Sequence, residues 1–279
     1  MTPEQASPLT LSPALLDALR RVAATERLLV AMDFDGTMSP IVDHADAARP
    51  VPRAASAFAE LASLPRTTTA LISGRALASL RAVASPPKDT LLVGSHGAEA
   101  WLGPGSPGLE LDAEQRQRLH EVRTVLEEIV SEAPGTVLEE KPAGVVLHTR
   151  MADDDVAEDA VAAARAVLQD RPGVYLKTGK RVLETSVVHA SKGEGVTFLR
   201  QATGATAIVF AGDDVTDEDA IAHLAPGDVG VKVGLDFTQA EFRVEHPIHV
   251  AELLEALLRE RRTAVNGGAA GADGEQDHM

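Results

Sequence analysis

The first hundred residues alternate between two kinds of apolar patterning. Residues 13–24 carry Leu15, Leu16, Leu19 and Val22 at helical spacing behind Ser12-Pro13, which predicts an amphipathic helix. Unbroken apolar runs of strand length follow at 27–33, 68–72 and 90–95, separated by helical patterns near 52–64 and 75–83. Strands that are apolar throughout and alternate with helices predict a parallel sheet covered on both faces. The breaker-rich Gly103-Pro104-Gly105-Ser106-Pro107-Gly108 marks a hinge. Beyond it the pattern changes: a helix over 112–132, strands at 136–141 and 144–150, a helix over 153–169, and strands at 173–177 and 181–185. Short turns, Pro142-Ala143-Gly144 and Thr178-Gly179-Lys180, make each strand pair a hairpin and the whole an αββαββ unit. The first pattern returns with a helix from Lys192, strands at 207–212 and 229–233, and a last helix at 249–262. The expected class is α/β, with a Rossmann-like core of residues 1–105 and 187–264, an inserted smaller α+β domain at 106–186, and a tail at 265–279. The tail is rich in Gly, Ala and acid, and disorder is expected there. The two halves of the inserted unit are weakly similar, and no other internal repeat stands out.

The first strand ends in the chain's most informative feature, Asp33-Phe34-Asp35-Gly36-Thr37. Residues i and i+2 of a strand point to one side, so the two carboxylates would project together at the end of a parallel strand, where open α/β sheets bind ligands. Close carboxylates are tolerated when a divalent cation lies between them or when one is protonated. Asp-x-Asp-Gly by itself is also a turn signal. A second apolar strand, 207–212, ends in Asp213-Asp214-Val215-Thr216-Asp217-Glu218-Asp219, an all-oxygen donor set of the kind that suits Mg²⁺. Between the two lie Ser73-Gly74-Arg75 at the end of a strand and Ser191-Lys192-Gly193 at a helix start. These pieces describe metal-assisted phosphoryl transfer. A carboxylate nucleophile splits the slow hydrolysis of a phosphate monoester into two displacements, and a cation and a lysine neutralise the dianion.

Composition narrows the partners. Of 279 residues 44% are hydrophobic but only 3% aromatic, so the core is built from Ala, Val and Leu. The net charge of −16 argues against nucleic acid or an anionic membrane as partner. The absence of cysteine excludes disulfides. No apolar run is long enough to span a bilayer, and Met1–Ser12 lacks the pattern of a signal peptide, so a cytoplasmic enzyme is expected.

The order Asp-x-Asp, Ser, Lys, Gly-Asp-Asp resembles the haloacid dehalogenase-like (HAD) phosphatase superfamily over most of residues 25–260. The resemblance implies that Asp33 is the nucleophile and Asp35 the general acid and base. It implies further that Ser73 binds the phosphoryl oxygens and that Lys192 offsets their charge. Asp213 would hold Mg²⁺ together with the Asp33 side chain and the Asp35 carbonyl, with Asp214 beside it and Asp217 behind. Gly36, Thr37, Gly74 and Arg75 would line the phosphate site.

Within that superfamily the chain resembles the trehalose-6-phosphate phosphatases. The matching segments are Asp33-Phe34-Asp35-Gly36-Thr37-Met38-Ser39-Pro40-Ile41, Gly94-Ser95-His96-Gly97-Ala98-Glu99, Glu139-Glu140-Lys141, His148-Thr149-Arg150 and Gly179-Lys180-Arg181-Val182-Leu183-Glu184. In such phosphatases the inserted domain reads the leaving group. Lys141, Lys180 and Glu184 are expected on the distal glucose, with Glu139, His148 and Arg150 nearby, and His96, Gly97 and Glu99 on the proximal one. A trehalose-6-phosphate synthase would act in the same pathway, on a separate chain. Two departures from the family pattern bear on sugar preference: Thr149, where an aromatic is usual, and Ser186-Val187, where a basic residue and a proline are. The competing readings are a phosphatase of sucrose 6-phosphate or of glucosyl- or mannosyl-3-phosphoglycerate, a non-catalytic phosphosugar-binding regulator, and a response-regulator receiver. The last is disfavoured by the inserted domain.

Overall fold

The computed structural model describes residues 11–179 and 181–272, with side chains as far as residue 267. The chain divides into two units, Met1–Ser106 with Ser191–Met279, and Pro107–Ala190. The smaller unit begins one residue later and ends four residues later than the 106–186 division read from sequence.

The larger unit is a seven-stranded sheet. Its strands are β1 (Leu28–Met32), β2 (Thr67–Ile72), β3 (Leu91–Gly94), β4 (Glu99–Trp101), β9 (Ala207–Gly212), β10 (Val229–Val233) and β11 (Phe242–Val244). Their order is β11-β10-β9-β1-β2-β3-β4, parallel except for the edge strand β4. Both edge strands, β4 and β11, escape the sequence pattern because three residues are too short to show a period. All five residues of β1 are buried. Leu28, Val30 and Met32 pack with α1 (Pro13–Ala23), α2 (Pro52–Ala62), α3 (Leu77–Ala84) and α8 (Pro247–Ala272). Leu29 and Ala31 pack on the opposite face with α6 (Lys192–Thr203) and α7 (Val215–Ala222). Two covered faces explain why the strands read as unbroken apolar runs.

Chain order runs outward from β1 through β2 to β3 on one side and resumes at β9 on the other. The strand order therefore reverses between β1 and β9, the place where open α/β sheets form their ligand crevice. Helix α7 was not expected from sequence, since its first turn is dominated by acids; acids are nonetheless favourable at a helix N-terminus. Helix α8 runs to Ala272, past the expected end at 262 and into the expected tail. No proline follows Pro247, and an established helix gains one hydrogen bond per added residue. Residues 273–279 of that tail lie outside the described residues.

In the smaller unit, α4 (Ala113–Glu132), β5 (Val137–Lys141), β6 (Gly144–His148), α5 (Asp154–Leu168), β7 (Tyr175–Gly179) and β8 (Val182–Ser186) give the expected αββαββ order. The antiparallel sheet runs β5-β6-β8-β7. Gly144 opens β6, so the first turn is only Pro142-Ala143. Leu138, Val145, Leu147, Leu176 and Leu183 pack against α4 and α5. Alternation along each strand then sends Glu139, Lys141, His148, Lys177 and Glu184 to the face without helices.

One side chain ties the larger unit together. Arg261 of α8 is buried and donates to the carbonyls of Ala23 at 2.8 Å, Thr25 at 2.5 Å and Arg66 at 2.6 Å, and to Thr67 Oγ1 at 3.0 Å. It thereby joins the end of α1 to the start of β2. Burial, and Arg66 nearby, hold its pKa below the usual guanidinium value. Replacing Arg261 by Met should leave those acceptors unsatisfied and lower stability by about 3 kcal/mol, read as a reduced urea midpoint.

Candidate active site

Asp33 follows directly on β1, and its N–H donates to the Ala211 carbonyl of β9 at 2.9 Å. Its carboxylate is buried. Lys192 Nζ, also buried at the first residue of α6, donates to Asp33 Oδ1 at 2.6 Å and to Asp217 Oδ1 at 2.7 Å. Asp217 Oδ2 accepts the Asp214 N–H at 2.9 Å, so both Asp217 oxygens are taken. Asp33 Oδ2 is buried and has no hydrogen-bond partner among the described residues. Asp33, Asp213 and Asp217 each offer a carboxylate oxygen, and the three lie within 4.8 Å of one another.

The electrostatics follow from that crowding. Burial pushes the Asp33 carboxyl well above its ordinary pKa; Lys192 opposes the rise and Asp217 and Asp213 add to it. Burial, reinforced by Asp217, pushes Asp213 up to about 7. Burial disfavours the Lys192 ammonium, but Asp217 and Asp33 outweigh it and hold the pKa above the usual lysine value. Three carboxylates thus crowd beside Lys192, which bridges two of them, and one buried Asp33 oxygen is left without a hydrogen-bond partner among the described residues. A divalent cation bound through Asp33 Oδ2 and Asp213 fits this donor set, and all the donors are hard oxygens. Gly36 is part of the same fit. Its φ of +84° is glycine territory, and a Cβ there would fall 2.0 Å from Asp213 Oδ2.

Other expected residues are placed differently. Asp214 is exposed at the N-cap of α7 and is not in the carboxylate group. Its short side chain is spent at the helix start, and Asp217, one turn on, points inward in its stead. The Asp35 carboxylate is gripped by Arg75, whose Nε donates to Oδ2 at 2.6 Å and Nη2 to Oδ1 at 2.7 Å. Ser73 is buried at the end of β2, and its Oγ accepts the Arg75 N–H at 3.2 Å. Thr37 is buried, with no partner for Oγ1 among the described residues. Gly74 lets the His96 ring lie against the chain, where a Cβ would meet Nε2 at 2.5 Å. Gly97 similarly admits the Ser191 carbonyl. Glu99 Oε2 accepts from Ser95 Oγ at 2.6 Å and from the Leu77 N–H at 3.3 Å, which caps α3.

In the smaller unit, Glu139 Oε2 meets His148 Nε2 at 2.8 Å, and Lys141 Nζ meets Glu184 Oε2 at 3.3 Å. The His148 hydrogen bond lowers the Glu139 pKa against the effect of burial, and Lys141 helps. Arg150 is exposed in the turn after β6. Lys180 lies outside the described residues. Thr149 is buried and donates its N–H to the Arg181 carbonyl at 2.9 Å; Val187 is buried and bonds the Ala143 carbonyl at 2.8 Å. Ser186 Oγ turns back to Val188. All three residues at these departures are thus engaged in hydrogen bonds with the backbone. Sequence reasoning missed Lys177, which pairs in register with Glu184, and Lys232, which donates to the Asp213 carbonyl at 2.5 Å. A lone lysine in the apolar strand 229–233 was the available signal for the latter.

The family model for trehalose-phosphatase matches residues 31–247. The chain belongs to the trehalose-phosphatase family. The trehalose-phosphate phosphatase of Mycobacterium leprae is 34% identical over 272 residues, covering 88% of this chain and 62% of that relative. The chain therefore spans less than two thirds of that relative's length. Among solved structures, the trehalose-6-phosphate phosphatase of Aspergillus fumigatus is similar at a TM-score of 0.64 and 27% identity, over 90% of this chain and 98% of that one. The C-terminal domain of the Candida albicans trehalose-6-phosphate phosphatase shares the fold at a TM-score of 0.75 and 23% identity, over 91% of this chain and 99% of that one. This trehalose-phosphatase family member thus has its carboxylate group at the β1/β9 reversal of a HAD-like fold.

The raised pKa of Asp213 fixes a pH dependence. A carboxyl whose folded pKa is raised favours folding when protonated, and that advantage disappears as pH rises from about 4 to about 7. A cation bound there relieves the penalty but must displace the proton below about 7. Divalent cation should therefore raise the thermal midpoint more at pH 8 than at pH 5.5, with the apparent affinity falling up to about tenfold per pH unit below neutrality. An equal shift at both pH values would place the cation elsewhere.

Proposed function

We propose that this chain hydrolyses trehalose 6-phosphate to trehalose and phosphate with Mg²⁺ through an aspartyl-phosphate on Asp33. The observation that carries the reading is the buried, unpartnered Asp33 Oδ2 beside Lys192, in a member of the trehalose-phosphatase family. Mg²⁺, held by Asp33 and Asp213, would supply charge neutralisation at the phosphoryl oxygens. Asp33 attacks phosphorus, and Lys192 offsets charge on nucleophile and phosphate alike while Asp217 orients it. Ser73 and Thr37 offer hydroxyls to the phosphoryl oxygens. Asp35 gives its proton to the leaving sugar oxygen and then takes one from the attacking water. That role requires Asp35 to part from the Arg75 fork when substrate is bound.

The helix-free sheet face of the smaller unit is proposed to read the sugar. Glu139, Lys141, His148 and Glu184 share it, and Arg150 and Lys180 flank it in sequence. Paired carboxylates and bases suit a polyhydroxylated neutral disaccharide, whose hydroxyls both donate and accept. The pairing also favours trehalose 6-phosphate over phosphoglycerate esters. A leaving group with its own carboxylate would have to displace Glu184 from Lys141. Glycosyl transfer to a hexose 6-phosphate yields a disaccharide 6-phosphate directly, so a trehalose-6-phosphate synthase is the proposed partner in the pathway. Among the described residues no helix is long and apolar enough to cross a membrane, and with no cysteine in the chain the cytoplasm is the proposed location.

Phosphate release with Mg²⁺ from trehalose 6-phosphate, sucrose 6-phosphate, glucose 6-phosphate and glucosyl-3-phosphoglycerate tests the reading. Trehalose 6-phosphate should be strongly preferred, and Asp33→Asn should be folded and inactive; turnover by that variant would remove the nucleophile assignment. Lys141→Ala should lower kcat/KM for trehalose 6-phosphate by about tenfold or more while sparing a small aryl phosphate, because a lost charged hydrogen bond to the leaving group is felt only where that group is present. Equal losses on both substrates would place Lys141 outside sugar recognition.

A further inference from the structure

Strand β10 reads Val229-Gly230-Val231-Lys232-Val233, and its three valines pack into the core on the α1 and α8 side. Lys232 lies on the other side, like Gly230, where a Cβ would meet Leu224 and Ile221. It pairs in register with Gly212, the residue before Asp213, and it is buried. An ammonium buried on an otherwise apolar strand is unfavourable unless its charge and its protons find partners. Among the described residues it has two partners. Nζ donates to the Asp213 main-chain carbonyl at 2.5 Å, and Glu218 Oε1 lies 3.7 Å away, within ion-pair range but too far for a hydrogen bond. The other Glu218 oxygen accepts the Gln239 N–H at 2.9 Å. The short bond is therefore to the backbone of a proposed cation ligand, and the acidic turn between β9 and α7 is bracketed by two buried ammoniums, Lys192 and Lys232.

We propose that Lys232 is a positioning residue for the cation site: by fixing the Asp213 carbonyl it sets where the Asp213 carboxylate points. The inference rests on the cation reading given under Proposed function. A carbonyl held in place fixes the peptide plane that leaves Asp213, and with it the direction of the side chain. Outer partners of this kind tune a metal through its ligand without touching it. The positive charge also stands beside Asp213 and Glu218, where it lessens their mutual repulsion. Loss of Lys232 should weaken cation binding and leave recognition of the ester unchanged once the site is saturated.

The test is a Mn²⁺ titration of the full chain by electron paramagnetic resonance, with no substrate present, on wild type, Lys232→Met and Lys232→Arg. The Met variant should bind Mn²⁺ about tenfold or more weakly, and the Arg variant should recover to within about threefold of wild type. At saturating cation, KM for the phosphate ester should stay within about threefold in all three. Mn²⁺ affinity of Lys232→Met within about twofold of wild type, with only a lowered thermal midpoint, would make Lys232 a purely structural residue and overturn the inference. Wild type that takes up no Mn²⁺ would overturn the cation reading and this inference with it. If Lys232→Met does not fold, Lys232→Gln, which keeps a donor without the charge, is judged by the same affinity limits.

Discussion

The constraint on which the rest depends is the gathering of carboxylates at the C-terminal ends of two neighbouring parallel strands. Asp33, Asp213 and Asp217 sit close enough that their charges oppose one another, and Asp33 and Asp217 are withdrawn from water. Such a group holds only while the surrounding structure supplies positive charge and prevents the side chains from swinging apart. Lys192 answers both demands, since one ammonium bridges Asp33 and Asp217. The bridge joins β1, α6 and α7, so the two sequence segments of the larger unit meet at this point. It also leaves an unbalanced negative charge, which a bound cation or a proton on Asp213 would offset.

The sheet makes this crowding achievable. Because the strand order reverses between β1 and β9, the two acidic ends lie side by side with no helix crossing between them. Gly36 then allows the loop after β1 to run directly under the Asp213 carboxylate. Arg75 draws the loop toward the end of β2 through the Asp35 carboxylate and also donates to the Ala45 carbonyl. Asp35 is thus held apart from the charge group by an opposing cation. The separation gives the two aspartates of one short motif different surroundings.

Much of this was readable in the sequence because burial on both faces writes itself as uninterrupted apolar runs. Strands β1, β2, β9 and β10 were legible for that reason, and the helix-strand-strand rhythm of 112–185 was legible through its hairpin turns. Asp33, Lys192 and Asp213 were legible as members of an ordered set. What escaped was decided by tertiary contact. Helix α7 was hidden because its acids read as a metal cluster; Asp214 proved to be exposed at the helix start, while Asp217 lies buried one turn on, bonded to Lys192. Glu99 read as a sugar contact, and its second engagement, with the N–H at the start of α3, left no local signal. The Arg75 fork and the Lys232 contact join residues 40 and 19 positions apart, separations at which no local pattern survives.

The edge strand β4 ends in Trp101, the only tryptophan of the chain, with the Arg81 guanidinium 4.2 Å from its ring centroid. Two residues earlier, Glu99 fastens the same strand to the start of α3, two residues after Arg75 and its grip on Asp35. The protein's near-ultraviolet emission therefore has one indole source, and that source is placed on a strand fastened close to Arg75 and its grip on Asp35. Its light is a local signal of the surroundings of β4, the Arg81 guanidinium among them.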